Sequence, residues 1–110
     1  MKLNKKYVFH IPLFKFSNNK LIQIEINDIL DDLISQLNDN GFENLYMTKV
    51  KGHYKSRSFD ELLITLFTHD SQSPEIIFKK WFEKNNNILK QEEYAYECNN
   101  SMYIKKLKLI

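Results

Sequence analysis

Glu61, His53 and Glu92 are side chains whose types and spacing could do acid–base chemistry. A carboxylate and an imidazole brought together can move a proton in a transition state, one as acid and the other as base. Glu61 stands at the head of a strongly apolar run, and Gln91, Glu92 and Glu93 stand together before another. If those strand starts meet beside Gly52, His53 and Tyr54, Glu92 and His53 form the acid–base pair and Glu61 orients it. Tyr54 or Gln91 then holds the substrate. The plainer reading pairs Glu92 with a lysine or Arg57 and lets Gln91 satisfy backbone groups. Charges at strand ends are usually solvated, so the plainer reading is favoured.

Other chemistries find less support. His10, His53 and His69 could join Asp70, Glu61 or Cys98 around a metal, but no two share the close helical or CxxC-type spacing that makes a zinc site specific. We therefore expect no metal and no cofactor, and read His69 and Asp70 as loop and capping residues. Cys98 shows no adjacent base and reads as a small apolar residue of the last sheet strand. Ser56, Ser58, Ser71 and Ser73 lie in turns without the glycines of a nucleophile elbow. Two glycines in the whole chain leave almost no room for a phosphate-cradling loop.

Lys51, Gly52, His53 and Tyr54 loosely match the basic-glycine-aromatic strand on which RNA-recognition sheets stack bases. Tyr46, Lys49, Lys51, Tyr54 and Arg57 would be the contacts. The match departs in two ways: His53 takes the first aromatic position, and the stretch lies on the second strand of the repeat. A net charge of +2, with Arg57 as the single arginine, gives no strong field for a polyanion. Nucleic acid is a minority reading.

With 110 residues, 43% hydrophobic and 27% charged, the chain reads as one folded domain over 1–110. One cysteine cannot form an internal disulfide and suits a reducing compartment. Lys2, Lys5 and Lys6 precede an apolar run as in a secretory signal, but His10, Pro12 and Lys15 break it and no small-residue cleavage site follows. Nothing approaches the roughly 18 to 20 apolar residues of a membrane span. These features predict a cytoplasmic protein without membrane contact.

The elements that must position the candidates follow from periodicity. Tyr7 to Phe14 is apolar on both faces and reads as a central strand, with Pro12 near its end. Ser17 to Lys20 reads as a polar turn. Ile26, Ile29, Leu30, Leu33, Ile34 and Leu37 form the stripe of an amphipathic helix ending at Asn40 and Gly41. Leu45 to Tyr54 is a strand with Tyr46, Thr48, Val50, Gly52 and Tyr54 on the side expected to be buried. Lys55 to Ser58 connects it to a strand over Glu61 to Thr68. Ser73, Pro74 and Glu75 start a second helix with Ser73 as cap, Ile77, Phe78, Trp81 and Phe82 on its buried stripe, and Asn85, Asn86 and Asn87 weakening its end. Gln91 to Cys98 is the last strand of the repeat, and Met102 to Leu107 returns as an added edge strand.

This order, βαββαβ, predicts a ferredoxin-like α+β sandwich: an antiparallel sheet with two helices on one face. Apolar residues on both sheet faces mean that the uncovered face needs a partner, and a homodimer is the simplest one. Gly52 with Tyr54 two residues on, Glu61 before its apolar strand, and Gln91, Glu92 and Ala95 opening the last strand resemble a group of small uncharacterised ferredoxin-like proteins. That resemblance covers most of the chain and implies a fold and a set of positions, without a reaction. We expect a dimeric regulatory or ligand-binding module without catalysis, taking at most a small-molecule ligand. The alternatives are a small enzyme using the strand-end pocket, and a single-stranded RNA binder using the sheet face.

Overall fold

The structure, a computed structural model, describes residues 2–54 and 56–107, Tyr54 by its backbone alone. Its elements are β1 (Lys5–Pro12), β2 (Phe14–Ser17), β3 (Lys20–Gln23), α1 (Asn27–Asp39), β4 (Leu45–Tyr54), β5 (Arg57–Thr68), α2 (Glu75–Leu89), β6 (Glu93–Cys98) and β7 (Ser101–Lys106). Five strands form one sheet in the order β4-β5-β1-β6-β7, and each neighbouring pair is antiparallel. With β7 as an added edge and the β2–β3 hairpin inserted after β1, this is the expected ferredoxin-like sandwich. No helix among the described residues is long and apolar enough to cross a membrane.

Strand alternation sends Tyr7, Phe9 and Ile11 toward the helices, where cross-strand register places them opposite Leu66, Ile64 and Leu62 of β5. Leu33 and Leu37 of α1 and Phe78, Trp81 and Phe82 of α2 close over them, all buried, while Leu30 is half-buried. Phe9 stacks on Phe78 with ring centroids 4.4 Å apart, and the Trp81 indole N–H donates to the Ile29 carbonyl at 2.6 Å, tying the two helices. Burying each such side chain stabilises the fold by about 1.5–3 kcal/mol. The helices therefore fix one sheet face and leave the other free to carry chemistry.

Helix α1 ends as its sequence predicts: Gly41 takes φ +88°, and the Phe42 N–H closes back onto the Leu37 carbonyl at 2.9 Å. Four local expectations need correction. The first strand stops at Pro12, and the turn read at Ser17 to Lys20 is the tip of the β2–β3 hairpin, with Asn18 and Asn19 both at positive φ. Asparagine tolerates that conformation, which gives the two-residue loop the twist a hairpin needs. The link read at Lys55 to Ser58 is shorter, because Tyr54 already pairs with Arg57; Lys55 itself lies outside the described residues. Ser73 offers no side-chain cap to α2, whose cap position is Pro74.

The asparagine triplet continues α2 rather than ending it. Buried Asn85 donates its amide to the Trp81 carbonyl, and the Asn86 side chain brackets the backbone of Gln91. Those bonds satisfy the polar groups that would otherwise compete with the helix. Lys90, left-handed at φ 53°, then turns the chain toward β6.

Candidate functional site

The sheet face opposite the helices carries the even-numbered residues of β1 and their cross-strand neighbours. Pro12 pairs with Glu61 of β5 and Val8 with Glu97 of β6, so His10 lies diagonal to both carboxylates. Diagonal neighbours are about 7–8 Å apart at the backbone, within reach of long side chains. The reach is used: His10 Nδ1 lies 2.5 Å from Glu61 Oε1, and His10 Nε2 lies 2.7 Å from Glu97 Oε2. Three strands that are distant in sequence thus converge on one imidazole.

An imidazole donates from both nitrogens only when protonated. Burial works against that charge on His10, but the hydrogen bonds and charges of Glu61 and then Glu97 outweigh it and raise the His10 pKa above its ordinary value. With His10 cationic and both glutamates ionised, the cluster carries one net negative charge. Side-chain exposures of 20% for His10 and Glu61 and 35% for Glu97 leave carboxylate surface open to a ligand.

Gly52 shapes one wall. It pairs with Phe59, and a Cβ at Gly52 would lie 3.0 Å from the Phe59 ring and 3.5 Å from Glu61 Oε2. The missing side chain lets the ring lie across β4 beside the glutamate. Around the cluster Tyr46, Phe67, Met102 and Ile104 are exposed, so an apolar border surrounds an acidic centre. The Tyr46 side of β4, expected to be buried, faces outward because both helices lie on the other side of the sheet.

Of the residues read as acid, base or substrate contacts, Glu61 enters this cluster and the others do not. His53 pairs with Ser58 near the end of β4, is exposed, and alternates to the helix side of the sheet. Glu92 is exposed in the link before β6, where its carbonyl accepts the Leu107 N–H. Gln91 donates to the carbonyls of Phe14 and Leu89, holding the end of α2 against β2. The side chain of Tyr54 lies outside the described part of the structure. Lys49 and Lys51 share Asp60 on the helix side, away from Tyr46, and Arg57 lies over the Phe16 ring at 4.6 Å. His10 was weighed beside Glu61 only as a metal ligand, and Glu97 was missed. Each is the titratable side chain interrupting an apolar or aromatic alternation, a signal that could have found them.

No protein-family model and no curated protein matches the chain. Among solved structures it is similar to a phage SAM lyase in complex with S-methyl-5'-thioadenosine, with TM-score 0.64 and 14% identity over 97% of this chain and 95% of that one. It is also similar to a phage SAM lyase in the apo state, with TM-score 0.57 and 15% identity over 96% and 91%. At that identity the likeness shows a shared fold of nearly equal extent. The non-catalytic regulatory module expected from sequence is corrected by this finding, since both of these structures, matched over nearly their whole length, are named as lyases.

Proposed function

We propose that this chain is a small lyase acting on an adenosyl sulfonium of the S-adenosylmethionine class, with Glu61, His10 and Glu97 as its active centre. The observation that carries this reading is the convergence of two carboxylates on one imidazole across the exposed face of a sheet that shares its fold with a SAM lyase. A lyase breaks its bond without adding water. When the C–S bond of a sulfonium breaks, the electron pair goes to sulfur, and for this substrate class the neutral thioether released is S-methyl-5'-thioadenosine. The carbon fragment balances the step by giving up a proton or by bonding its own carboxylate oxygen.

The cluster suits that task. Its net negative charge attracts the cationic sulfur and amino group, and Glu61 Oε2, turned toward Gly52 and away from His10, is placed to orient the substrate or accept its proton. His10 locks both carboxylates in position, so no reorganisation is needed during reaction. The proton-accepting role read for His53 and Glu92 falls instead to Glu61, with His10 and Glu97 holding it in place. A second copy of the chain covers the open face, bringing its own apolar border over the site and excluding water from a reaction that must avoid it.

The test is incubation of the protein with S-adenosylmethionine and chromatographic detection of S-methyl-5'-thioadenosine. Glu61→Gln and Glu97→Gln lower the rate about 10²-fold or more while far-UV circular dichroism is unchanged. A wild-type protein that binds the substrate but releases no thioether contradicts the reading.

A further inference from the structure

Pro12 is the last residue of β1 to pair with β5, and it lies opposite Glu61. Beyond that point β5 has β4 alone as its sheet partner, through the pairs Gly52–Phe59, His53–Ser58 and Tyr54–Arg57. Strand alternation puts Glu61, Phe59 and Arg57 on one face, the open face that holds the His10 cluster. An anion, an aromatic ring and a cation thus follow one another at two-residue steps, the outer two about 13 Å apart at the backbone.

Each member of the row is held in place. The Phe59 ring and Glu61 Oε2 lie 3.0 Å and 3.5 Å from the point where a Gly52 Cβ would stand, so the ring edge and the carboxylate oxygen are neighbours. Oε2 is also the Glu61 oxygen that His10 does not engage. Arg57 is set from the other side. After the chain leaves β1, β2 packs against β5, and the Arg57 guanidinium carbon sits 4.6 Å from the centre of the Phe16 ring. An aromatic face restrains the plane of a guanidinium while the edge of its fork stays free to donate. Arg57 forms no ion pair among the described residues, and its neighbour Asp60 alternates to the helix side, where Lys49 and Lys51 hold it.

We propose that Arg57 determines specificity at this site by selecting a substrate with a free α-carboxylate: its fork takes the carboxylate, Glu61 Oε2 takes the adjacent ammonium, and the Phe59 ring lies under the carbon chain between them. This role rests on the lyase reading of the same site and names the part of the substrate that reading leaves open. Long side chains lean along a strand, so Arg57 and Glu61 both reach a group placed over Phe59. A carboxylate matches the planar fork with two parallel hydrogen bonds, which a lysine ammonium does not provide. S-methyl-5'-thioadenosine carries neither charged group. Once the C–S bond breaks, the adenosyl half therefore loses its hold on both residues, and the same contact that selects substrate releases product.

The probe is S-adenosyl-L-homocysteine, which keeps both charged groups but has a neutral sulfur and so lacks the sulfonium whose departure drives cleavage. Its binding to the full chain is compared with that of S-methyl-5'-thioadenosine by isothermal titration calorimetry. Arg57→Met weakens S-adenosyl-L-homocysteine about tenfold or more and changes S-methyl-5'-thioadenosine by less than about twofold. Arg57→Lys, which keeps the charge and loses the fork, falls between wild type and Arg57→Met. Phe16→Leu, at an exposed position of β2, removes the ring face that orients the guanidinium and weakens the amino-acid-bearing ligand alone, which keeps the test valid if Arg57→Met disturbs the hairpin. The proposal is overturned if wild type does not bind S-adenosyl-L-homocysteine, if the variants weaken both ligands equally, or if they weaken neither. Cleavage of S-adenosylmethionine is read separately. A wild type that cleaves it while Arg57→Met binds both ligands unchanged overturns the role of Arg57 alone; Arg57-dependent binding without cleavage contradicts the lyase reading and supports the carboxylate contact.

Discussion

His10 is held between two carboxylates, and its proton is what keeps them together. Because its pKa is raised in the folded state, the folded protein holds that proton to higher pH than the unfolded chain does. The stabilisation is fully present below about pH 6.5, the unfolded value, and is lost as pH rises through the folded-state pKa. Chemical denaturation of wild type and His10→Gln across pH 6 to 9 therefore shows a stability difference that shrinks with rising pH. A difference that grows with pH contradicts the ion-pair assignment. Gly52→Ala tests the wall beside Glu61: its Cβ presses on the Phe59 ring, so turnover of S-adenosylmethionine falls several-fold while the protein stays folded. Glu61 was legible in sequence because it heads an apolar run, although its strand begins four residues earlier at Arg57. Its partners were not, because pairing it with His10 and Glu97 requires the register of three strands, and a slip of one residue would send each to the other face.

At the level of helices and strands, apolar periodicity carried most of the information. The stripe from Leu30 to Leu37 and the group Phe78, Trp81 and Phe82 face the sheet as their spacing implies. Phe78→Ala, which removes a ring packed against Phe9, Trp81, Phe82 and Tyr94, should cost about 3–5 kcal/mol in urea or thermal unfolding. A loss under 1 kcal/mol would show that α2 does not close the core as described. Two elements were illegible for physical reasons. The β2–β3 hairpin has four-residue strands with exposed apolar side chains, Phe16, Leu21 and Ile22, so neither burial nor length marks it. The end of α2 was hidden because Asn85 and Asn86 find their partners in tertiary context, which overrides their weak helix propensity.

Across the molecule, the sandwich of one antiparallel sheet with two helices on one face followed from the βαββαβ pattern, since chain connectivity leaves few alternatives. The apolar content of the open face was equally legible; that it surrounds an acidic centre was not, since a sequence does not say which side chains meet. Tyr46, Phe67, Met102 and Ile104 frame that face, and a second copy is the cover we propose. Light scattering should give at least twice the mass of the 13.3 kDa chain, and the double change Met102→Glu with Ile104→Glu should return it to monomer without unfolding. A wild type that stays monomeric at high micromolar concentration contradicts the cover.

The most direct measurement is the appearance of S-methyl-5'-thioadenosine when purified wild-type protein and Glu61→Gln are each given S-adenosylmethionine. Multiple turnovers are expected for the first and about a hundredth of that rate for the second. Equal rates, or no product from a folded wild type, would contradict a lyase centred on Glu61, His10 and Glu97.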